Sequence, residues 1–154
     1  MQMRATLTLL LAIVACMAAA PADRAVIVNS GSTNAYGYTI SVSSDGKASV
    51  TLQNKGGAAA SAAKAFTVPA ATAARFFRDL AAARKANTAT APCMKSVSFG
   101  SSTHVTWQGW TSPDLTCPPQ DNVGQALVND VDAIRKAGAI SESPLRSGGS
   151  QGNR

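Results

Sequence analysis

The side chains of this chain that could do acid–base or nucleophilic chemistry are concentrated in residues 93–117. This segment contains His104, the only histidine of the chain, together with Ser98, Ser102 and Asp114. Imidazole is the one side chain whose ordinary pKa lies close to neutral pH. A serine, a histidine and an aspartate are also the residue types of a hydrolytic triad.

The surroundings of these residues favour a structural interpretation. No nucleophile-elbow pattern surrounds either serine, and serine is common throughout the chain. We therefore interpret His104 as an exposed histidine of a β-strand, and we favour a protein that is not an enzyme. The alternative is a small hydrolase that uses His104 with a nearby serine, Ser98, and Asp114.

The sequence predicts neither a bound metal nor a cofactor. One histidine, paired cysteines and scattered acidic residues provide no closed ligand set for a metal such as zinc. The glycine patterns of P-loops and of dinucleotide-binding turns are absent from the sequence. Cys93 and Cys117 are also too far apart to resemble a Cys-x-x-Cys redox motif.

Residues 1–22 have the pattern of a secretory signal peptide. Arg4 supplies the positive charge, and residues 5–17 form an apolar run that is too short to span a bilayer. Small residues before Asp23 predict cleavage after Ala22. The pattern therefore predicts a periplasmic or secreted protein that has no transmembrane span after cleavage.

A second route of processing is open at Cys16. Residues 13–16, Ile-Val-Ala-Cys, resemble the bacterial lipobox, in which the cysteine is acylated and becomes the first residue. The alternative localisation is therefore a membrane-anchored lipoprotein, and only an acylated Cys16 would hold the protein to a membrane.

Cys93 and Cys117 are the two cysteines that either route leaves in the folded domain. In an oxidising compartment they are expected to form a disulfide. A loop of this length has an entropic stabilisation of about 3.5 kcal/mol in the chain-entropy model. Aromatic residues make up only 5% of the chain, so the core is modest and such a crosslink matters.

The hydrophobic pattern predicts an α+β fold: an antiparallel sheet of about four to six strands, with two helices packed on it and one disulfide. Alternating runs on both sides of Asp45-Gly46 predict a β-hairpin, residues 65–68 a further strand, and residues 25–28 a short edge strand. The odd positions of 97–107 are apolar except at 101 and 103, so a strand that includes Trp107 in the core is predicted there.

Two helices complete the predicted domain, which covers residues 23–140 and precedes a disordered tail at 141–154. The first helix follows Pro69 and is anchored on the sheet by Phe76 and Phe77. The second has Asn122 as its expected N-cap, with Gln125 completing a capping box, and Gly138 as its expected C′ residue.

Three segments carry a family resemblance: YTISVSSDGKASVTL, FTVPAATAARFFRDLAAA and CMKSVSFGSSTHVTWQGWTSPDLTC. Together they resemble a group of small secreted bacterial proteins of unknown function, over roughly residues 36–134. The resemblance implies an extracytoplasmic compartment and an α+β architecture, and it implies no mechanism.

Two surfaces are candidates for binding a partner. The loop 109–116 combines Trp110 with Asp114 and a proline turn, which would suit a partner protein. The rival is the basic face of the first helix, Arg75, Arg78 and Lys85, which would suit an anionic component of the envelope, or else is simply a solvated helix face. We expect an envelope protein or an anionic envelope component as partner, and no nucleic acid, because no aromatic residue interrupts the basic face.

Mass spectrometry of the exported protein tests the predicted processing. We expect a mature chain that begins at Asp23 and contains no free thiol, because Cys93 and Cys117 are paired. Palmitate labelling that is lost on Cys16→Ser would establish the lipoprotein alternative, and an unprocessed Met1 would contradict both routes.

Overall fold

A computed structural model describes residues 22–33, 35–54, 57–95 and 100–140. Within these residues the elements are β1 (Arg24–Asn29), β2 (Gly37–Ser43), β3 (Lys47–Gln53), β4 (Lys64–Thr67), α1 (Ala70–Ala86), β5 (Thr103–Trp107), β6 (Trp110–Thr111) and α2 (Asn122–Ala137). The predicted α+β class is confirmed. The predicted signal peptide with Cys16, the tail at 141–154, and Ser98 lie outside the described residues.

The strands form one sheet with the order β4-β3-β2-β1-β5-β6, in which every neighbouring pair is antiparallel. The hairpin predicted around Asp45-Gly46 is confirmed as β2–β3. Gly46 has a φ of +85°, and a Cβ there would lie 2.6 Å from the Val68 carbonyl oxygen. Only glycine satisfies both the turn conformation and this close approach.

β1 is a central strand, so its predicted position at the edge of the sheet is wrong. It pairs with β2 on one side, where Ile27 lies opposite Ile40, and with β5 on the other, where Ile27 lies opposite Val105. All three side chains are fully buried. The strand is short, and its second partner lies far away along the chain, so no local pattern indicates that it is enclosed.

Both helices pack on the same face of the sheet and contact each other. Alternate strand residues point into this layer, because successive side chains of a strand face opposite sides. The largest fully buried apolar side chains are Phe76, Ile27, Ile40, Leu80, Leu127, Ile134, Val42, Val68 and Val105. The helices therefore share a single core with the strands.

The other side of the sheet, which we call the open face, is polar with a few apolar residues. No helix or strand of the described residues crosses it. By register, its side chains are Arg24, Val26, Val28, Thr39, Ser41, Ser43, Lys47, Ser49, Thr51, Gln53, Ala65, Thr67, His104, Thr106 and Thr111. Small hydroxyl side chains therefore dominate this surface.

The ends of α2 differ from their prediction. Asp121, not Asn122, is the N-cap: its carboxylate accepts a hydrogen bond from the Gly124 N–H at 2.6 Å. Asp121 also accepts the hydroxyl of Thr88 at 2.7–2.8 Å, a tertiary contact that no local pattern contains. Gln125 takes no part in a capping box, since its side chain donates to Asn129.

At the other end, Gly138 is the C-cap residue with a φ of −78°, so its predicted C′ role is wrong. Ala139 follows it and takes the left-handed conformation, with a φ of +52°. Gly138 is small for a different reason. A Cβ there would lie 3.1 Å from the ring of Phe66, against which the helix end packs.

Truncation of the two phenylalanines of α1 tests how the helix is anchored. Phe76 is fully buried and Phe77 is half-buried. We expect Phe76→Ala to lower the free energy of unfolding by about 3–5 kcal/mol, as for a buried phenylalanine in other cores. Phe77→Ala is the matched control and should cost clearly less. Equal losses in urea denaturation would contradict this packing.

Candidate functional site

The predicted disulfide is confirmed: Cys93 and Cys117 are bonded, with 5.5 Å between their Cα atoms. It closes the loop that contains β5, β6 and every residue of the predicted hydrolytic site. Cys93 lies in the segment after α1 and Cys117 in the segment that leads into α2, so the disulfide joins the two connections between the helices and the β5–β6 strands.

Lys95 makes the densest set of polar contacts in this loop. Its Nζ donates to the Asp114 carboxylate, to the Thr116 hydroxyl at 2.7 Å and to the Ser101 carbonyl at 2.6 Å. A further hydrogen bond reaches the hydroxyl of Ser102 at 3.1 Å. The side chains of Lys95 and Asp114 are only 25% and 21% exposed. We call this group of five residues the loop clasp.

Asp114 also accepts hydrogen bonds from backbone groups in and beside the loop clasp. Its Oδ1 accepts the backbone N–H of Thr103 at 3.1 Å and that of Thr116 at 3.0 Å. Burial alone would raise the pKa of Asp114, but hydrogen bonds from Lys95, from Thr116 and from the Thr103 N–H outweigh it. The pKa therefore lies well below the ordinary range, and the carboxylate stays charged.

His104 lies on the open face, on the side of the sheet that the helices leave uncovered. Its Nδ1 is 3.0 Å from the Ser112 carbonyl oxygen. A carbonyl oxygen only accepts, so Nδ1 carries the proton in this contact. Asp114 makes its hydrogen bonds within the loop clasp and none with His104. Ser102 is also bound there, through Lys95.

Within the described residues the arrangement forms no hydrogen bond between His104 and Asp114, and the carboxylate of Asp114 is engaged by Lys95 instead. What the geometry does instead is fix the path of the loop, because a charged lysine is surrounded by oxygen acceptors from four residues.

Trp110 faces the core layer. It forms the short strand β6 opposite Trp107, is half-buried, and packs against the core. Trp107 is in the core as predicted, with the ring of Phe77 at 6.3 Å and the Arg84 guanidinium at 5.8 Å. A partner would reach only part of the Trp110 ring.

The predicted basic face of α1 carries less free charge than its sequence implies. Arg75 donates from Nε to the Asp130 carboxylate at 2.5 Å, and Arg78 donates from Nε to Asp79 at 2.9 Å. Of the three predicted cations, Lys85 alone makes no ion pair within the described residues. The partner of Arg75 could not be read from the spacing, because Asp130 belongs to α2; the partner of Arg78 is the next residue of the same helix.

A polar groove on the open face is a site that sequence reasoning missed. Its volume is about 440 Å³, and it is lined by Ala22, Arg24, Ser41, Ser43, Asp45, Lys47, Ala48 and Ser49. Lys47 and Ser43 are held by Asp45, both at 2.7 Å. Arg24, Ser41 and Ser49 make no side-chain hydrogen bond within the described residues. The alternation of residues along β1, β2 and β3 is the sequence signal that could have indicated this groove, because it places polar side chains of the three strands on one face of the sheet.

A second groove of about 210 Å³ lies between α2 and the disulfide loop. It is lined by Tyr38, Thr103, Leu115, Thr116, Val128, Val131, Asp132 and Arg135. Asp132 at its edge is paired with Arg135 and Lys136, both at 2.6 Å. The space is small beside ordinary ligand pockets. Across the described ranges, no cluster of three or more His, Cys, Asp or Glu side chains could hold a metal ion.

The loop clasp should make stability sensitive to acid. The pKa of Asp114 is depressed in the folded state, so its contribution is present above the ordinary carboxyl pKa near 4 and is lost as the pH falls through the folded value. We expect Asp114→Asn to lower the free energy of unfolding by roughly 1–3 kcal/mol near neutral pH, and to flatten the decline in acid.

Urea denaturation across a pH series measures this effect. Asp45→Asn is the matched control: hydrogen bonds from Lys47 and Ser43 lower the pKa of Asp45 as well, but its pair with Lys47 is exposed to solvent, so the substitution should cost clearly less. An unchanged midpoint for Asp114→Asn, both near neutral pH and in acid, would show that the loop clasp does not stabilise the fold.

Comparison with known proteins identifies no relative, so a function can be proposed only from the fold and the two grooves. No helix of the described residues is long and apolar enough to cross a bilayer. A scan against protein-family models, a search of curated proteins and a search of solved structures gave no match.

Proposed function

We propose that this protein is an exported domain of the bacterial envelope that binds a phosphate-bearing envelope lipid on its open face and does not catalyse a reaction. The observation that carries the proposal is the groove around Arg24, where the guanidinium and the hydroxyls of Ser41 and Ser49 make no hydrogen bond with any described residue. The likeness to small secreted bacterial proteins, the leader and the disulfide support the compartment.

The charge balance of the domain supports an anionic partner. Each aspartate of the described residues accepts hydrogen bonds inside the domain: Asp23, Asp45, Asp79, Asp114, Asp121, Asp130 and Asp132. In contrast, Arg24, Lys64 and Lys85 have no acidic partner among these residues. The described residues contain ten lysine and arginine side chains against seven aspartates, a net charge of +3, and the cations without an acidic partner give a positive surface that attracts anions.

The residues of the groove match a phosphate group chemically. The planar guanidinium of Arg24 offers two parallel N–H donors, the geometry that binds phosphate in a bidentate manner. Ser41 and Ser49 face each other across β2 and β3 and can add hydroxyl donors. Beyond the groove, Val26 and Val28 provide an apolar surface on which the glycerol and upper acyl region of a lipid can rest.

The two alternatives have less support. A hydrolase needs an acid to orient His104, and Asp114 is bound to Lys95 instead. A lipoprotein acylated at Cys16 is compatible with the same binding surface, since the chain enters β1 beside the groove. Anchoring would then raise the local concentration of lipid headgroups at Arg24.

Co-sedimentation with vesicles tests the proposal. We expect binding to vesicles that contain phosphatidylglycerol and little binding to phosphatidylcholine alone. Arg24→Ala should weaken the binding about fivefold, as for one basic residue near an anionic surface, and raised salt should weaken it further. Arg78→Ala is the matched control, because Arg78 is exposed but paired with Asp79.

Equal binding of the native protein and Arg24→Ala would contradict the assigned groove. Equal binding to charged and neutral vesicles would contradict an anionic ligand. Displacement of the protein by inorganic phosphate in the millimolar range would show that the groove takes free phosphate instead of a lipid headgroup.

A further inference from the structure

A buried carboxyl group lies between the two helices, remote from the open face. The Asp130 side chain on α2 is only 1% exposed. Its Oδ1 accepts the Arg75 guanidinium at 2.5 Å, while its Oδ2 is buried and has no donor within the described residues. A buried carboxylate oxygen without a donor is costly, so this atom needs an explanation.

A second carboxyl group lies against the first. Asp79 follows Arg75 by four residues on α1, so both side chains are on the same side of that helix. Its side chain is 15% exposed, and its Oδ1 accepts from Arg78 at 2.9 Å. Asp79 is close enough to interact with Asp130 by hydrogen bonding as well as by charge. Two ionised carboxylates in such a place would repel each other strongly.

We propose that Asp130 holds a proton on its buried Oδ2, which it donates to the carboxylate of Asp79, and that this proton acts as a pH-sensitive latch between α1 and α2. With the proton on Asp130 Oδ2, that oxygen becomes a donor to the Asp79 carboxylate and the buried polar atom is satisfied. Loss of the proton leaves two carboxylates facing each other, with Arg75 as the one cation that bonds Asp130.

The electrostatics of the site agree with this assignment. Burial is the largest influence and raises the pKa of Asp130; Arg75 lowers it, and Asp79 raises it further, so that the net direction is upward. The charged groups that reach Asp130 are Arg75, Arg78 and Asp79, all from α1. On α2, Asp132 pairs with Arg135 and Lys136 instead. The core side of the sheet offers Tyr38, which lies at the groove with Val131 and Arg135.

The latch and the loop clasp change the stability of the fold with pH in opposite directions. A carboxyl whose pKa is raised by folding contributes stability that is fully present below its unfolded pKa, near 4, and is lost as the pH rises through the folded value. The contact between α1 and α2 therefore tightens in mild acid and loosens at higher pH. A protein outside the cytoplasm meets such changes of pH directly.

Carbon-13 NMR of the aspartate carboxyl groups tests the latch in the native protein. We expect one resonance that titrates above the ordinary carboxyl range and disappears from the spectrum of Asp130→Asn. Asp132→Asn, which removes an exposed carboxylate from the same helix, is the matched control and should leave that resonance unchanged. An ordinary or lowered titration of Asp130 would overturn the proposal.

Urea unfolding midpoints across the pH series give a second readout. Asp130→Asn keeps a permanent N–H donor toward Asp79, so its stability should no longer decline between mild acid and neutral pH. An unchanged decline would overturn the proposal. If Asp130→Asn does not fold, Asp79→Asn removes the second carboxylate instead, and the resonance of Asp130 should then shift its titration toward lower pH. These outcomes are independent of whether vesicles bind at Arg24.

Discussion

Because both helices cover the same face of the sheet, the two faces of every strand have different tasks. One face must be apolar and complementary to α1 and α2, and the other meets solvent. Ile27, Ile40 and Val50 follow the first requirement, and the hydroxyl residues of the open face follow the second. The surface that we propose for binding is thus the direct result of one-sided packing, since nothing in the described residues competes for it.

In the disulfide loop, residues whose types could do acid–base chemistry instead fix the path of the chain. Lys95 lies two residues after Cys93, and Thr116 immediately precedes Cys117, so the loop clasp and the covalent bond restrain the same pair of chain segments. The entropy lost when the lysine is fixed is smaller beside an existing crosslink. This explains how a half-buried ion pair with four acceptors can form in a domain with few aromatic residues.

The sequence predicts the local features well and the distant ones poorly. The β2–β3 hairpin is predictable because Asp45-Gly46 and the alternation on both sides are contiguous in the chain. The position of β1 is not, because β5 is far downstream and strand order depends on pairings that no window contains. The N-cap of α2 was misassigned for a related reason. Asp121 and Asn122 both suit an N-cap, and the contact of Asp121 with Thr88 distinguishes them.

The candidate sites likewise divide into those that a local pattern predicts and those that depend on contacts between distant parts of the chain. The residue types at Cys93, Cys117 and Trp107 were sufficient to predict their roles, because pairing and alternation leave few other choices. Arg75 was interpreted as part of a solvated or binding face, since its acceptor Asp130 lies on α2 and is not marked by the pattern of α1. The groove at Arg24 depends on three strands together and has no signature in any one of them.

The central position of β1 also determines the order in which this chain can fold. Synthesis makes β1 first, but its pairing of Val26 with Thr106 must wait for a strand about 80 residues later. Contacts of such long sequence separation slow folding, because a large loop must close before they form. Until then the edge of β1 that will pair with β5 is unsatisfied and the sheet is incomplete. If the protein is exported, as we propose, this late pairing delays completion of the sheet while the chain crosses the membrane.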